Sequence, residues 1–244
     1  MAKRRVSNLL ALAVLACLVE RPMHPYQISS TLRSRGKDHN IKLNYGSLYS
    51  VVDSLAKHGL IEATETVREG RRPERTVYAV TAAGRAEFDE WMAELLATPV
   101  REYTSLEAAL ALVGGVPPDE VVRLLQERAG RLTLEIAALE SGVDWTLKQG
   151  IPELFVVEEE YRKALLGAEL RFVDDLAERI ASGELSGTHW WRRMHELAEQ
   201  QGLTLADIIA DPRRHLGEDA AEMLTFLSSG ADGPTRRTDD TSDS

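Results

Sequence analysis

The sequence is short of cysteine, of long apolar runs and of any recognisable catalytic signature. It has one cysteine, Cys17, among 244 residues. That excludes a disulfide framework and any zinc site built on several thiolates. No apolar stretch approaches the roughly 18 residues needed to span a bilayer, so no membrane partner is expected. There is no GxSxG, no Gly-rich phosphate loop and no HExxH, the spacings that serve acyl transfer, nucleotide binding and zinc hydrolysis. The histidines at 24, 39, 58, 189, 195 and 215 are scattered. His189 and His195 stand six apart, which does not place them on one helical face. Glu158-Glu159-Glu160 and Asp174-Asp175 read as solvated acidic faces rather than metal ligands. Neither an enzyme nor a bound cofactor or metal is expected. A basic excess is missing too, since 29 Lys and Arg face 39 Asp and Glu, a net charge of −10.

The charge that is there is unevenly placed. Residues 1–86 hold 14 Lys and Arg against 7 Asp and Glu, whereas residues 87–244 hold 15 against 32. A basic first third suits a polyanion, and an acidic remainder suits assembly or partner binding.

Lys3, Arg4 and Arg5 precede an unbroken apolar run of eleven residues, Leu9 to Val19. A positive flank before a short apolar run has the form of a secretory signal, and Val14-Leu15-Ala16-Cys17 loosely resembles a lipoprotein cleavage site. Runs of this length also suit a buried helix. The helix is favoured because Ser7 or Asn8 can cap its start, Glu20-Arg21-Pro22 ends it, and another helical pattern follows at once. Cys17 is then a small buried hydrophobe, and the chain is expected in the cytoplasm.

A second helix starts at Pro25, where a missing N–H does no harm, and ends before Gly36. Asn44 is placed as the N-cap of a third, with Leu48, Val51, Val52 and Leu55 as its buried stripe. Gly59 suits its C′ position. Residues 61–67 and 76–80 read as two strands around the turn Gly70-Arg71-Arg72-Pro73, and Thr81 can cap the next helix, which runs to about Leu95. Three helices followed by a hairpin with a basic tip is the order of a winged helix-turn-helix. Such a fold lays its third helix in the major groove and sets the hairpin tip against phosphates or the minor groove.

With these motifs in place, the first third resembles the DNA-binding domain of PadR-family transcriptional regulators. The resemblance covers residues 9–90. It is carried by Pro22-Met23-His24-Pro25-Tyr26-Gln27-Ile28, Tyr45-Gly46-Ser47-Leu48-Tyr49, Leu55-Ala56-Lys57-His58-Gly59-Leu60-Ile61, Gly70-Arg71-Arg72-Pro73, Tyr78 and Thr81-Ala82-Ala83-Gly84-Arg85. Pro25 stands where the family more often has Gly. The resemblance implies that Tyr26 lies against the DNA backbone or braces the third helix. It implies that Tyr45, Gly46, Ser47, Tyr49 and Ser50 face the major groove, and that Arg71 and Arg72 sit on the wing. For Tyr49, packing on the second helix stands beside DNA contact. His24 reads more simply as a capping or surface histidine. Lys42 is expected to meet phosphate. With no Arg or Lys between Tyr45 and Ala56, bidentate guanine readout from this helix is not expected.

Further along, apolar residues at 125, 129, 132, 136, 139 and 143 form a heptad seam over 119–143. A second helix is predicted over 152–181, with Tyr161, Leu165, Phe172, Leu176 and Ile180 on one stripe. These residues also resemble the C-terminal helical domain of the larger PadR-like proteins. That implies an antiparallel helical dimerisation domain using Leu125, Leu132, Ile136, Leu139, Leu165, Phe172, Leu176 and Ile180. Trp91, Trp145 and Tyr161 are the candidates for an effector pocket. Trp190, Trp191, Met194 and Leu197 lie on a helix bounded by Thr188 and Gly202. They read as core packing of an added subdomain more simply than as a ligand wall.

The expectation is therefore a mainly α protein with one small β-hairpin. Its parts are a winged helix-turn-helix (1–90), a helical dimerisation and effector domain (91–182), a helical extension (183–227) and a disordered tail (228–244). Its expected partners are double-stranded DNA, a second copy of itself and a small, aromatic or amphipathic effector. Repression from a pseudo-palindromic operator is the leading reading. A module of the same fold that binds ligand or protein without reading DNA is one alternative, and a transcriptional activator is the other.

Overall fold

The computed structural model describes residues 6, 8–37, 45–67 and 75–228. It divides into two compact units, 1–102 and 103–244.

The N-terminal unit is built around α1 (Leu9–Glu20). This helix is apolar on nearly every side, so it can only lie in the middle of a core. Leu10, Val14, Leu15, Cys17 and Leu18 are all buried. The Asn8 side chain accepts the Leu10 N–H at 2.8 Å and caps the helix. The apolar run is thus the central helix of this unit. Helix α2 (Pro25–Ser34) opens with a capping box: His24 Nδ1 accepts the Gln27 N–H, and Gln27 Oε1 accepts the His24 N–H, both at 3.1 Å. Helix α3 (Tyr45–Lys57) buries Leu48, Val51, Val52 and Leu55 against α1 and α2. Asn44, the expected cap of α3, lies outside the described residues.

Strands β1 (Ile61–Val67) and β2 (Arg75–Val80) pair antiparallel, from Ile61 opposite Val80 to Val67 opposite Arg75, with an irregularity between Ala63 and Glu65. Helix α4 (Ala82–Ala97) closes the unit. Thr81 Oγ1 donates to the Gly59 carbonyl at 2.7 Å and accepts the Gly84 N–H at 3.0 Å, so one hydroxyl ties the end of α3 to the start of α4. Trp91 of α4 is buried in this core. The unit therefore continues past residue 90 and takes in the whole of α4, because the apolar face of that helix packs on α1.

The C-terminal unit is all helical in its described residues. Its short α5 (Ser105–Ala111) leads through a 3₁₀ turn to α6 (Pro118–Lys148). A second 3₁₀ turn (Glu153–Phe155) precedes α7 (Val157–Ser182). Helix α6 runs five residues beyond the seam predicted to end at Val143, and α7 starts five after the predicted Pro152. The two pair antiparallel. Arg128 meets Glu169 at 2.5 Å, Arg162 meets Glu135, and Lys163 meets Glu140 at 3.8 Å.

The core of this unit lies at one end of the pair. Val121, Leu125, Ala129 and Leu132 of α6 meet Val173, Ala177 and Ile180 of α7 and Trp191 of α8 (Thr188–Gln201). Trp191 Nε1 donates to the Val116 carbonyl at 2.9 Å. The tryptophan-rich helix is thus core packing, with Met194 against the same cluster and Leu197 buried. Three short helices follow: α9 (Leu205–Ala210), α10 (Pro212–Leu216) and α11 (Glu218–Ser228). Thr204 and Asp207 form a capping box at α9. The tail from residue 229 lies outside the described residues.

Candidate nucleic-acid interface

Burying Leu48, Val51, Val52 and Leu55 turns the opposite face of α3 outward. Gly46, Ser47, Tyr49 and Ser50 are exposed on it, Tyr49 by 53%. The apolar stripe thus places polar groups of the first two turns on a rigid support. Ser50 Oγ donates to the Gly46 carbonyl at 3.1 Å, which leaves its lone pairs for an outside donor. Tyr26, on α2, is 57% exposed. Tyr45 is the first residue of α3. Its side chain, together with Lys42, Asn44, Arg71 and Arg72, lies outside the described residues.

Residues 23 and 78 join α2 to the hairpin. The Met23 N–H donates to the Tyr78 carbonyl and the Tyr78 N–H donates back, both at 3.0 Å. This bridge draws β2 alongside the start of α2. Between them and α3 lies a half-open cleft of about 310 Å³. Tyr26, Tyr49 and Tyr78 line it with Asp53 and Thr76. The residue pattern singles out neither Asp53 nor the cleft. Tyr49 and Asp53 are one helical turn apart, but their meeting with Tyr78 depends on a backbone bridge that leaves no mark in the sequence.

The other candidates separate. Trp91 is a core residue of the N-terminal unit. Trp145 and Tyr161 belong to the C-terminal unit, where they are 64% and 67% exposed. That unit has a groove of its own, about 520 Å³, between α5 and the first half of α6. Leu106, Leu110, Val113 and Leu124 wall it, and Arg128 and Arg131 stand at its rim. None of the three aromatic candidates lines it. Its aliphatic lining is indistinguishable in sequence from ordinary core periodicity. Among the proposed dimerisation residues, Leu125, Leu132 and Ile180 are buried inside the chain's own core. Leu125 and Leu132 of α6 pack there against α7 and α8, and Ile180 of α7 packs back on them. Ile136, Leu139 and Leu176 are half-buried, and Leu165 and Phe172 are exposed.

Burial, with the Glu20 carboxylate adding to it, pushes the Cys17 thiol up to about 11. A thiol so protonated is a poor nucleophile. Among the described residues no three His, Cys, Asp or Glu side chains are grouped to hold a metal ion. No described helix is long and apolar enough to cross a membrane.

Three helices, a hairpin and an outward polar face on the third helix define a winged helix-turn-helix protein. Residues 14–90, about a third of the chain, match the model of the transcriptional regulator PadR-like family. Bacillus subtilis PadR, solved in complex with operator DNA, superposes with a TM-score of 0.52 at 16% identity, over 69% of this chain and 99% of that one. The Vibrio cholerae virulence activator AphA gives a TM-score of 0.53 at 15% identity, over 71% of this chain and 98% of that one. At these identities the likeness is one of fold. The comparison with curated proteins found no match.

Proposed function

We propose that this protein is a homodimeric transcriptional regulator that reads a pseudo-palindromic operator through α3. The observation that carries the proposal is the exposed row Gly46, Ser47, Tyr49 and Ser50, standing on a fully buried apolar stripe. Small hydroxyls and a phenol at the start of a helix suit base edges and phosphates. Gly46 permits a close backbone approach. Lys42, Asn44 and Tyr45 flank this row in sequence, and Arg71 and Arg72 supply the wing's charge for phosphate contact. The DNA-bound Bacillus subtilis PadR has the same fold.

The dimer is assigned to the far half of the α6–α7 pair. There Leu134, Trp145, Tyr161, Leu165 and Phe172 are exposed. An apolar arm of this extent calls for cover, and a second copy supplies it symmetrically. Trp145 and Tyr161 thus serve the subunit contact in this reading, with an aromatic or amphipathic effector acting on that dimer by favouring one spacing of its two DNA-reading helices. Repression follows if the operator overlaps a promoter. Activation is the second reading, favoured by the fold shared with the Vibrio cholerae activator.

The deciding experiment is binding of the purified protein to its own upstream intergenic DNA and to a scrambled duplex over a salt series. Preference that survives at salt levels abolishing the scrambled complex is expected. Equal and salt-fragile binding to both, or none to either, overturns the proposal.

A further inference from the structure

The cleft between α2, α3 and β2 shares Tyr26 and Tyr49 with the surface proposed to meet DNA, and adds to them a carboxylate that DNA contact does not use. Its rings come from three different elements: His24 and Tyr26 from the start of α2, Tyr49 from α3 and Tyr78 from β2. The His24 and Tyr26 rings lie 6.2 Å apart and are tilted by 32°. His24 is held by its capping bond to Gln27, and Tyr78 by its pair of backbone hydrogen bonds to Met23, so two of the four rings hang from fixed points. Val52, fully buried, forms the floor. Thr76 adds a hydroxyl.

Asp53 supplies the one carboxylate among the described lining residues, and no Lys or Arg is among them. Its carboxylate has no ion-pair partner among the described residues. Ring faces attract cations through their quadrupoles, and a nearby carboxylate adds a full charge of the right sign. The same carboxylate repels a phosphate, so the inside of the cleft favours a cation even though Tyr26 and Tyr49 also belong to the surface proposed to meet DNA. A volume of about 310 Å³ is at the small end of ligand pockets, which suits a compact head group rather than an extended molecule.

We propose that this cleft binds a small organic ammonium ion, seated against the tyrosine rings with its charge toward Asp53. The site rests on the cleft's own lining and is tested without DNA, although Tyr49 belongs to both surfaces.

The test is isothermal titration of the full chain, without DNA, with choline and with its uncharged carbon isostere 3,3-dimethyl-1-butanol. Choline is expected to bind once per chain and about tenfold or more tighter than the isostere, the gap that a cation between rings and a carboxylate produces. Asp53→Asn is expected to lose about tenfold of the choline affinity and none of the isostere's. Tyr49→Leu is expected to weaken choline as well. Both side chains are exposed, and a thermal melt checks that each variant folds. Equal affinity for the two probes, no choline binding at millimolar concentration, or unchanged choline binding in Asp53→Asn each overturns the proposal.

Discussion

Gly84 shows how much one missing methyl group can matter. A Cβ built there falls 1.9 Å from the Leu60 carbonyl oxygen, a backbone atom with nowhere to move. Gly84→Ala is therefore expected to destabilise the N-terminal unit by about 1–3 kcal/mol or more, the scale of overpacking in a tight core. A urea or thermal melt measures it, and a melt within error of the parent refutes the account. Cys17 makes a different prediction. Its thiol value is raised in the folded state, so its contribution is complete below the ordinary thiol value near 9 and is lost as pH rises through about 11. The urea midpoint of the parent should fall relative to Cys17→Ala across that window. Parallel curves would refute it. His24 and Cys17 are both legible from sequence, one as a helix cap and one as a buried hydrophobe, because each depends on neighbours a few residues away. Gly84 and Asp53 are not, because what each meets is brought in from another element.

Helices and strands are legible where the local pattern is strong. The caps at Asn8, Thr81 and Thr204 and the stripe of α3 all follow from short-range rules of hydrogen bonding and periodicity. Thr81 tests the element that joins helix to wing. Thr81→Ala removes an N-cap and its bond to Gly59, and a loss of about 1–2 kcal/mol is expected in a chemical melt. The wing tip tests function. Arg71→Ala with Arg72→Ala should weaken binding to every duplex and flatten the dependence of log K on log salt by roughly one unit for each phosphate the wing no longer neutralises. An unchanged slope would take the wing off the DNA. Element ends read less well. Helix α7 starts later than its apolar stripe suggests because Glu153–Phe155 forms a 3₁₀ turn, and nothing in a periodic pattern distinguishes a tight turn from the first turn of a helix.

For the whole molecule the outcome turns on which apolar stripes are used up within one chain. Leu132 and Leu165 both have the sequence pattern of dimer residues, yet Leu132 is buried and Leu165 is exposed. Leu132→Asp should therefore unfold the C-terminal unit. Leu165→Asp with Phe172→Asp should leave its helicity intact and convert the proposed dimer to monomer in light scattering. A doubly substituted protein that remains dimeric would move the interface elsewhere. By itself the sequence determined the winged-helix order, the basic first third, the polar face of α3 and the presence of two long amphipathic helices. Each of these is written in spacings within one element, where hydrogen bonding and periodicity act over a few residues. Only the tertiary structure decided that the first unit extends through α4, that Trp191 closes a core on α6 and α7, and that Asp53 shares a cleft with three tyrosines. Those are meetings between segments distant in sequence, and a side chain's apolar or aromatic character does not say which distant partner will cover it.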